Sequence, residues 1–233
     1  MSVVTMASGQ QSAPRKVPAV EAVCFDLDGT MFNTEHLFFE AGDTVLQKFE
    51  RRMTREVMDV IIGRRPMESF TRLVEYLAID VDPAHLLEIS REAHHELIRE
   101  KLAPMPGVVE LLGALSKRGI PCAVTTSSPR DYAQSLVEQA GLMSHFQFFL
   151  TSADVSQGKP HPEIYLKAAS TFGVRPEQMA VFEDSAAGTR AAVLARARTI
   201  AVPHEFTASH DFTGAELRVE TLTDRQVYEL LAV

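Results

Sequence analysis

The stretch "VCFDLDGTMF", residues 23–32, ends a dense apolar run on two aspartates one residue apart, Asp26 and Asp28, and turns at Gly29. Carboxylates that close repel each other unless a cation, a proton or hydrogen-bond donors hold them. A strand running out into a polar Asp-Gly turn would account for the same letters without any function. The two readings separate on what the rest of the chain places at the same end of the same sheet.

Short apolar runs rich in β-branched residues recur at 20–25, 120–125, 146–150, 179–182 and 199–202, and are predicted as buried strands. Helix-period stripes lie between the later ones: Val108, Leu111, Leu112 and Leu115, then Tyr132, Leu136 and Ala140. Ile164, Ala168 and Phe172 form a third stripe and Ala187, Ala191 and Leu194 a fourth. Such alternation implies right-handed crossovers and an α/β fold, a Rossmann-like doubly wound parallel sheet with helices on both faces.

The interval after the first strand is too long for one crossover and has only helical texture. Phe38, Ala41, Val45 and Phe49 share a face, as do Phe70, Leu73, Val74 and Leu77, and Leu86, Ile89, Ala93 and Leu97. Pro83 suits a helix start. The expected organisation is a flexible tail over 1–18, a core over 19–34 and 104–233, and an inserted all-helical cap over 35–103.

Composition narrows the partners. The 233 residues carry a net charge of −8, with 31 acidic against 23 basic side chains, which argues against nucleic acid or an anionic membrane surface. No apolar stretch approaches the ~20 residues of a membrane span. The opening "MSVVTMASGQQSAPRK" lacks the basic and apolar regions of a secretory signal. Cys24 and Cys122 sit inside apolar runs, as small buried hydrophobes in a reducing compartment would. A cytoplasmic location is expected.

Ligands of open α/β sheets bind beyond the carboxyl ends of the strands, so the residues there carry the argument. The first strand offers Asp26 and Asp28, and the second Thr125, Thr126, Ser127 and Ser128. Lys159 follows the third, in "TSADVSQGKPHPE", and Glu183 and Asp184 follow the fourth. Four carboxylates, a hydroxyl cluster and an ammonium on one rim suit a hard divalent cation together with a phosphate.

"DLDGT", "TTSS", "GKPHPEIY" and "VFEDSAAG" resemble, in order and spacing, the four motifs of the haloacid dehalogenase-like hydrolases. The resemblance covers about residues 20–202 and is closest to the subgroup of β-phosphoglucomutase and small sugar-phosphate phosphatases. It implies that Asp26 is a nucleophile forming an aspartyl-phosphate, and that Asp28 is the acid and then the base. It gives Thr126 and the Ser127 N–H to the phosphoryl oxygens, with Ser128 beside them, and Lys159 to charge neutralisation. Asp26, the Asp28 carbonyl, Asp184 and Glu183 would hold Mg²⁺, with Glu183 direct or through water. Gly63 and Arg64, in "GRRP", lie where related caps carry a specificity loop; Arg65 and Arg130 are open alternatives.

The expectation is a monomeric, Mg²⁺-dependent phosphatase of small phosphorylated metabolites such as sugar or polyol phosphates. A phosphomutase is the alternative. Phe38 stands twelve residues after Asp26, where the mutases carry a cap-hinge histidine, which favours hydrolysis. Asp28 argues against dehalogenation, since expelling halide needs no such acid. Asn33 stands where the family usually has aspartate. His94 and His95, beside Glu92 and Glu96, are read as a solvated helix face.

Overall fold

The structure, a computed structural model, describes residues 18–61 and 66–233. Nearly all of the expected tail, and Gly63, Arg64 and Arg65, therefore lie outside the described residues.

Six parallel strands form one sheet: β1 (Ala22–Phe25), β2 (Cys122–Thr125), β3 (Phe146–Leu150), β4 (Met179–Glu183), β5 (Arg198–Ala201) and β6 (Leu217–Arg218). Their order is β3-β2-β1-β4-β5-β6, which puts β1 in the interior between β2 and β4. All four residues of β1 are buried, so the run before Asp26 is continuously apolar rather than alternating. Successive side chains go to opposite faces. Val23 and Phe25 pack on one side with α5 (Val108–Lys117), α6 (Arg130–Gln139) and α9 (Arg225–Leu231). Ala22 and Cys24 pack on the other with α7 (Glu163–Phe172) and α8 (Ala186–Leu194). Both cysteines are free and buried, and burial pushes their thiols up, Cys122 to about 12.

Between β1 and β2 the chain forms α1 (Thr34–Gln47), α2 (Arg55–Ile61), α3 (Pro66–Leu77) and α4 (Pro83–Lys101). These helices bury a cluster of their own, including Leu46, Met58, Phe70, Leu73 and Leu86, separate from the two sheet faces. Asp82 caps α4, its carboxylate accepting from the Ala84 N–H at 3.0 Å, with Pro83 in the first turn. Asn33 ties the chain entering this insert to the chain leaving it. Its amide donates to the Lys101 carbonyl at 3.1 Å while its oxygen accepts from the Ala103 N–H at 2.9 Å. An aspartate there would lack the donor for the first bond.

Two features differ from the sequence reading. The sheet continues past 199–202 into β6, whose two residues are too short to leave a pattern. In α8 the buried face is Gly188, Thr189, Ala191 and Ala192, while Leu194 is 53% exposed and Ala187 is exposed. The expected stripe is rotated because Gly188, rather than a larger side chain, has to face β4. No helix among the described residues is long and apolar enough to cross a membrane.

Candidate active site

Asp26 is the first residue beyond β1, and its N–H still donates to the Phe182 carbonyl at 3.0 Å. The sheet ladder thus aims its carboxylate at the carboxyl rim. There Lys159 gives its ammonium protons to three acceptors: Asp26 Oδ1 at 2.5 Å, Glu183 Oε1 at 2.6 Å and the Thr125 carbonyl at 3.0 Å. The Tyr165 hydroxyl also donates to Glu183 Oε1, and Lys159 lies 5.3 Å above the Tyr165 ring. The lysine side chain is only 5% exposed and Glu183 is fully buried.

Burial opposes the Lys159 charge, but Asp26 and Glu183 on either side outweigh it and hold the ammonium well above the ordinary lysine range. Burial pushes the Asp26 carboxyl up. Lys159 pulls it back, and repulsion from Glu183 and Asp184 leaves it raised.

Asp184 follows β4 and sits beside this group. Its Oδ1 accepts from the Thr30 hydroxyl at 3.2 Å and its Oδ2 lies 3.0 Å from His204 Nε2. His204 Nδ1 accepts from the Phe206 N–H at 3.3 Å, which leaves the proton on Nε2 for Asp184. Gly29, at φ +76°, passes so close that a Cβ would stand 2.6 Å from His204 Nε2 and 2.8 Å from Asp184 Oδ2.

Oxygens of Asp26, Glu183 and Asp184 lie within 4.8 Å of one another. Three clustered carboxylates, two of them held by Lys159, make a hard, negatively charged oxygen set, which fits Mg²⁺. Glu183 has both oxygens engaged, Oε1 as above and Oε2 by the Ser185 hydroxyl at 3.1 Å. Among the described residues Asp26 Oδ2 has no protein partner.

Gly188, in the first turn of α8, lies against the Glu183 carboxylate. A Cβ there would fall well inside contact distance of its carbon and both oxygens. Lys159, Tyr165 and Ser185 hold that carboxylate, so it cannot give way. Gly188→Ala should therefore destabilise the fold by about 1–3 kcal/mol and displace Lys159. Urea unfolding checks the first effect and turnover the second; unchanged stability would contradict the packing account.

Asp28 occupies the neighbouring position with hydroxyl partners instead of charges. It accepts from Ser128 at 2.6 Å, Thr34 at 2.8 Å and Tyr132 at 3.3 Å. Thr126 Oγ1 accepts from the Ser128 N–H at 3.0 Å, shaping the turn that presents Ser128, and Ser127 is exposed at the tip. The structure thus brings together Asp26, Lys159, Glu183 and Asp184, with Asp28 and Ser128 alongside. Arg130 is engaged elsewhere, pairing with Asp154 at 2.6 Å.

Several residues here were not singled out from sequence. Tyr165 lay inside "GKPHPEIY", Tyr132 counted only as part of an apolar stripe, and His204 follows a strand end whose polar neighbours went unread. His95, Glu92 and Glu96 are exposed as expected, while His94 is half-buried, its Nε2 covered and its ring meeting Phe38 edge-on at 5.5 Å.

Glu35, in the first turn of α1, lines a cavity of about 690 Å³ that opens on Asp28. Burial, then repulsion from Asp28 and Asp184, raises its carboxyl to about 7, with His204 pulling partly back. The folded value exceeds the unfolded one near 4.5, so Glu35 contributes stability in full below about 4.5 and loses it as pH rises through about 7. Glu35→Gln should remove a loss on the order of 3 kcal/mol between those limits. Denaturant unfolding of both proteins across that window measures it; parallel pH profiles would contradict it.

The model of the family described as "Haloacid dehalogenase-like hydrolase" matches residues 23–202. The chain is 34% identical over 173 residues to a phosphorylated carbohydrates phosphatase of Thermotoga maritima, covering 74% of this chain and 80% of that one. It is 32% identical over 182 residues to hexitol phosphatase A of Escherichia coli K12, covering 76% and 81%. A Thermotoga maritima crystal structure provisionally assigned as a β-phosphoglucomutase superposes with a TM-score of 0.76 at 30% identity, covering 91% of this chain and 97% of that one. With the sheet, the helical insert and the clustered rim residues, these matches establish that the chain belongs to the haloacid dehalogenase-like hydrolases.

Proposed function

We propose that this protein is a Mg²⁺-dependent phosphatase of small phosphorylated metabolites, sugar or polyol phosphates among them, working through an aspartyl-phosphate on Asp26. The observation that carries the reading is Lys159 clamped between Asp26 and Glu183 while Asp26 Oδ2 stays open. A phosphate seated there meets a nucleophile already oriented by its own strand.

In this reading Asp26 Oδ2 attacks phosphorus and the bond to the leaving oxygen breaks. Asp28 delivers its proton to that oxygen, then takes one from the water that attacks the phosphorus, which releases phosphate and restores the Asp26 carboxylate. Lys159 stabilises charge on the transferring group, and Ser128, Thr34 and Tyr132 position Asp28. Asp26, Asp184 and the Asp28 carbonyl would hold Mg²⁺, with Glu183 fixing Lys159 and reaching the metal at most through water. When bound, the ion supplies charge neutralisation for the phosphoryl oxygens.

Residues 35–103 act as the cap in this proposal. Thr34 opens α1, so rotation of the insert would release its bond to Asp28 and free that carboxyl for proton transfer.

Similarity to a β-phosphoglucomutase-like structure favours a second reading, in which the phosphoryl group returns to a sugar. β-Glucose 1-phosphate with a trace of glucose 1,6-bisphosphate separates the two. Inorganic phosphate should appear first, because Phe38 cannot move protons at the hinge. Glucose 6-phosphate forming faster than phosphate would make the enzyme a mutase.

A further inference from the structure

Of the three clustered carboxylates, Lys159 pairs with Asp26 and Glu183 and leaves Asp184 to other partners. Repulsion from its neighbours would swing a free Asp184 side chain away from them. Two side chains hold it in place instead: the Thr30 hydroxyl donates to Oδ1 at 3.2 Å, and His204 Nε2 lies 3.0 Å from Oδ2. Each bond uses one lone pair of its oxygen, so each oxygen keeps another for a cation.

The histidine is itself tightly held, with its side chain only 6% exposed. Its backbone N–H donates to Thr207 Oγ1 at 3.1 Å, and the Thr207 N–H returns a bond to its carbonyl at 3.0 Å. That exchange fixes the turn of the loop leaving β5. Nδ1 accepts from the Phe206 N–H, which leaves the Nε2 proton facing Asp184. Gly29 makes room for the ring, since any Cβ there would stand 2.6 Å from Nε2.

The same loop then runs onto the insert. Phe206 stacks on Phe39 of α1, with centroids 5.1 Å apart and planes at 25°, and its carbonyl accepts from Arg55 of α2 at 3.3 Å. Glu205 lies 3.1 Å from His36 Nδ1, and the His36 ring packs edge-on against both His204 and Phe206. An exposed ion pair of that kind adds little, so the aromatic contacts seat the loop. Three consecutive residues thus join a carboxylate of the rim to two helices of the insert.

We propose that His204 is a positioning residue for the metal site: it holds Asp184 in the orientation that receives Mg²⁺, and the insert, by seating Phe206, holds His204. A carboxylate fixed in advance loses less freedom when the cation binds. By linkage, whatever unseats the loop weakens cation binding, and the cation in turn favours the seated loop. The proposal rests on the metal reading and deepens it.

The test is Mg²⁺ binding to chelator-stripped protein, followed by calorimetry without substrate and so apart from turnover. His204→Ala should weaken the Kd by about tenfold or more, the usual scale for an outer partner of a metal ligand. His204→Gln, whose amide can donate to Asp184, should recover part of that loss. Phe206→Ala, which touches neither Asp184 nor Asp26, should weaken binding in the same direction by a smaller factor. Urea unfolding in chelator selects the variants that keep the fold, and Phe206→Ala supplies the comparison if His204→Ala does not. Unchanged or tighter binding in folded His204→Ala overturns the assignment, and unchanged binding in Phe206→Ala overturns the part given to the insert. Wild-type protein that binds no Mg²⁺ overturns the metal reading as well.

Discussion

Asp26→Asn should abolish turnover, by about 10⁴-fold or more, and leave the protein folded. An amide oxygen is a poor nucleophile, so no phosphoryl bond should form at the position that β1 presents at the rim. The remaining groups cannot compensate: one oxyanion donor contributes only ~2.7–4 kcal/mol, against accelerations of up to ~10²¹-fold for phosphate monoesters. Folding survives because Asn has the same shape and Lys159 keeps Glu183 and the Thr125 carbonyl. The variant also removes one of three carboxylate charges clustered at the rim. Phosphate release and urea unfolding, run on the same preparation, check both halves. Turnover above about a thousandth of wild type in a folded sample would contradict the nucleophile assignment.

Chelation has the second large effect. EDTA should take phosphate release to background, Mg²⁺ should restore it, and Ca²⁺, with its looser and larger coordination, should fail to support it. The physical reason is the crowding of charge at the rim: Asp26, Glu183 and Asp184 cluster together while Lys159 pairs with only two of them, and burial, then repulsion from Glu183 and Asp184, raises the Asp26 carboxyl. A divalent cation relieves that repulsion, so Mg²⁺ should also stabilise the chelated protein, by about 2.7 kcal/mol at a hundredfold excess over its Kd. Thermal unfolding reads this without reference to activity. Full activity in chelator, or a melting temperature indifferent to Mg²⁺, would contradict the metal reading.

Much of this architecture was legible because strands of an interior parallel sheet are apolar runs. Their polar ends therefore stand out in the sequence: Asp26 after β1, Thr126 after β2, Lys159 beyond β3 and Asp184 after β4. The residues that position these groups left no such mark. His204 reaches Asp184 across twenty residues, and Thr34 and Tyr132 converge on Asp28 from helices of different parts of the chain. Such convergence is a property of packing rather than of period. The same holds for α8, where Gly188 facing Glu183 turned the helix away from the stripe that Ala187, Ala191 and Leu194 suggested. Of the helix face expected to be solvated, Glu92, His95 and Glu96 are exposed, and His94 is half-buried because Phe38, on a different helix, packs against its ring.

The covalent step is tested most directly by trapping it. Enzyme mixed with Mg²⁺ and excess phosphorylated substrate, quenched in acid within the first turnovers, is digested and mapped by mass spectrometry. The account predicts that the peptide containing Asp26 gains the mass of one phosphoryl group, that the label sits on Asp26 itself, and that Asp26→Asn lacks it. An enzyme that turns over throughout the time course with no phosphorylated Asp26, or with the label on another residue, would contradict it.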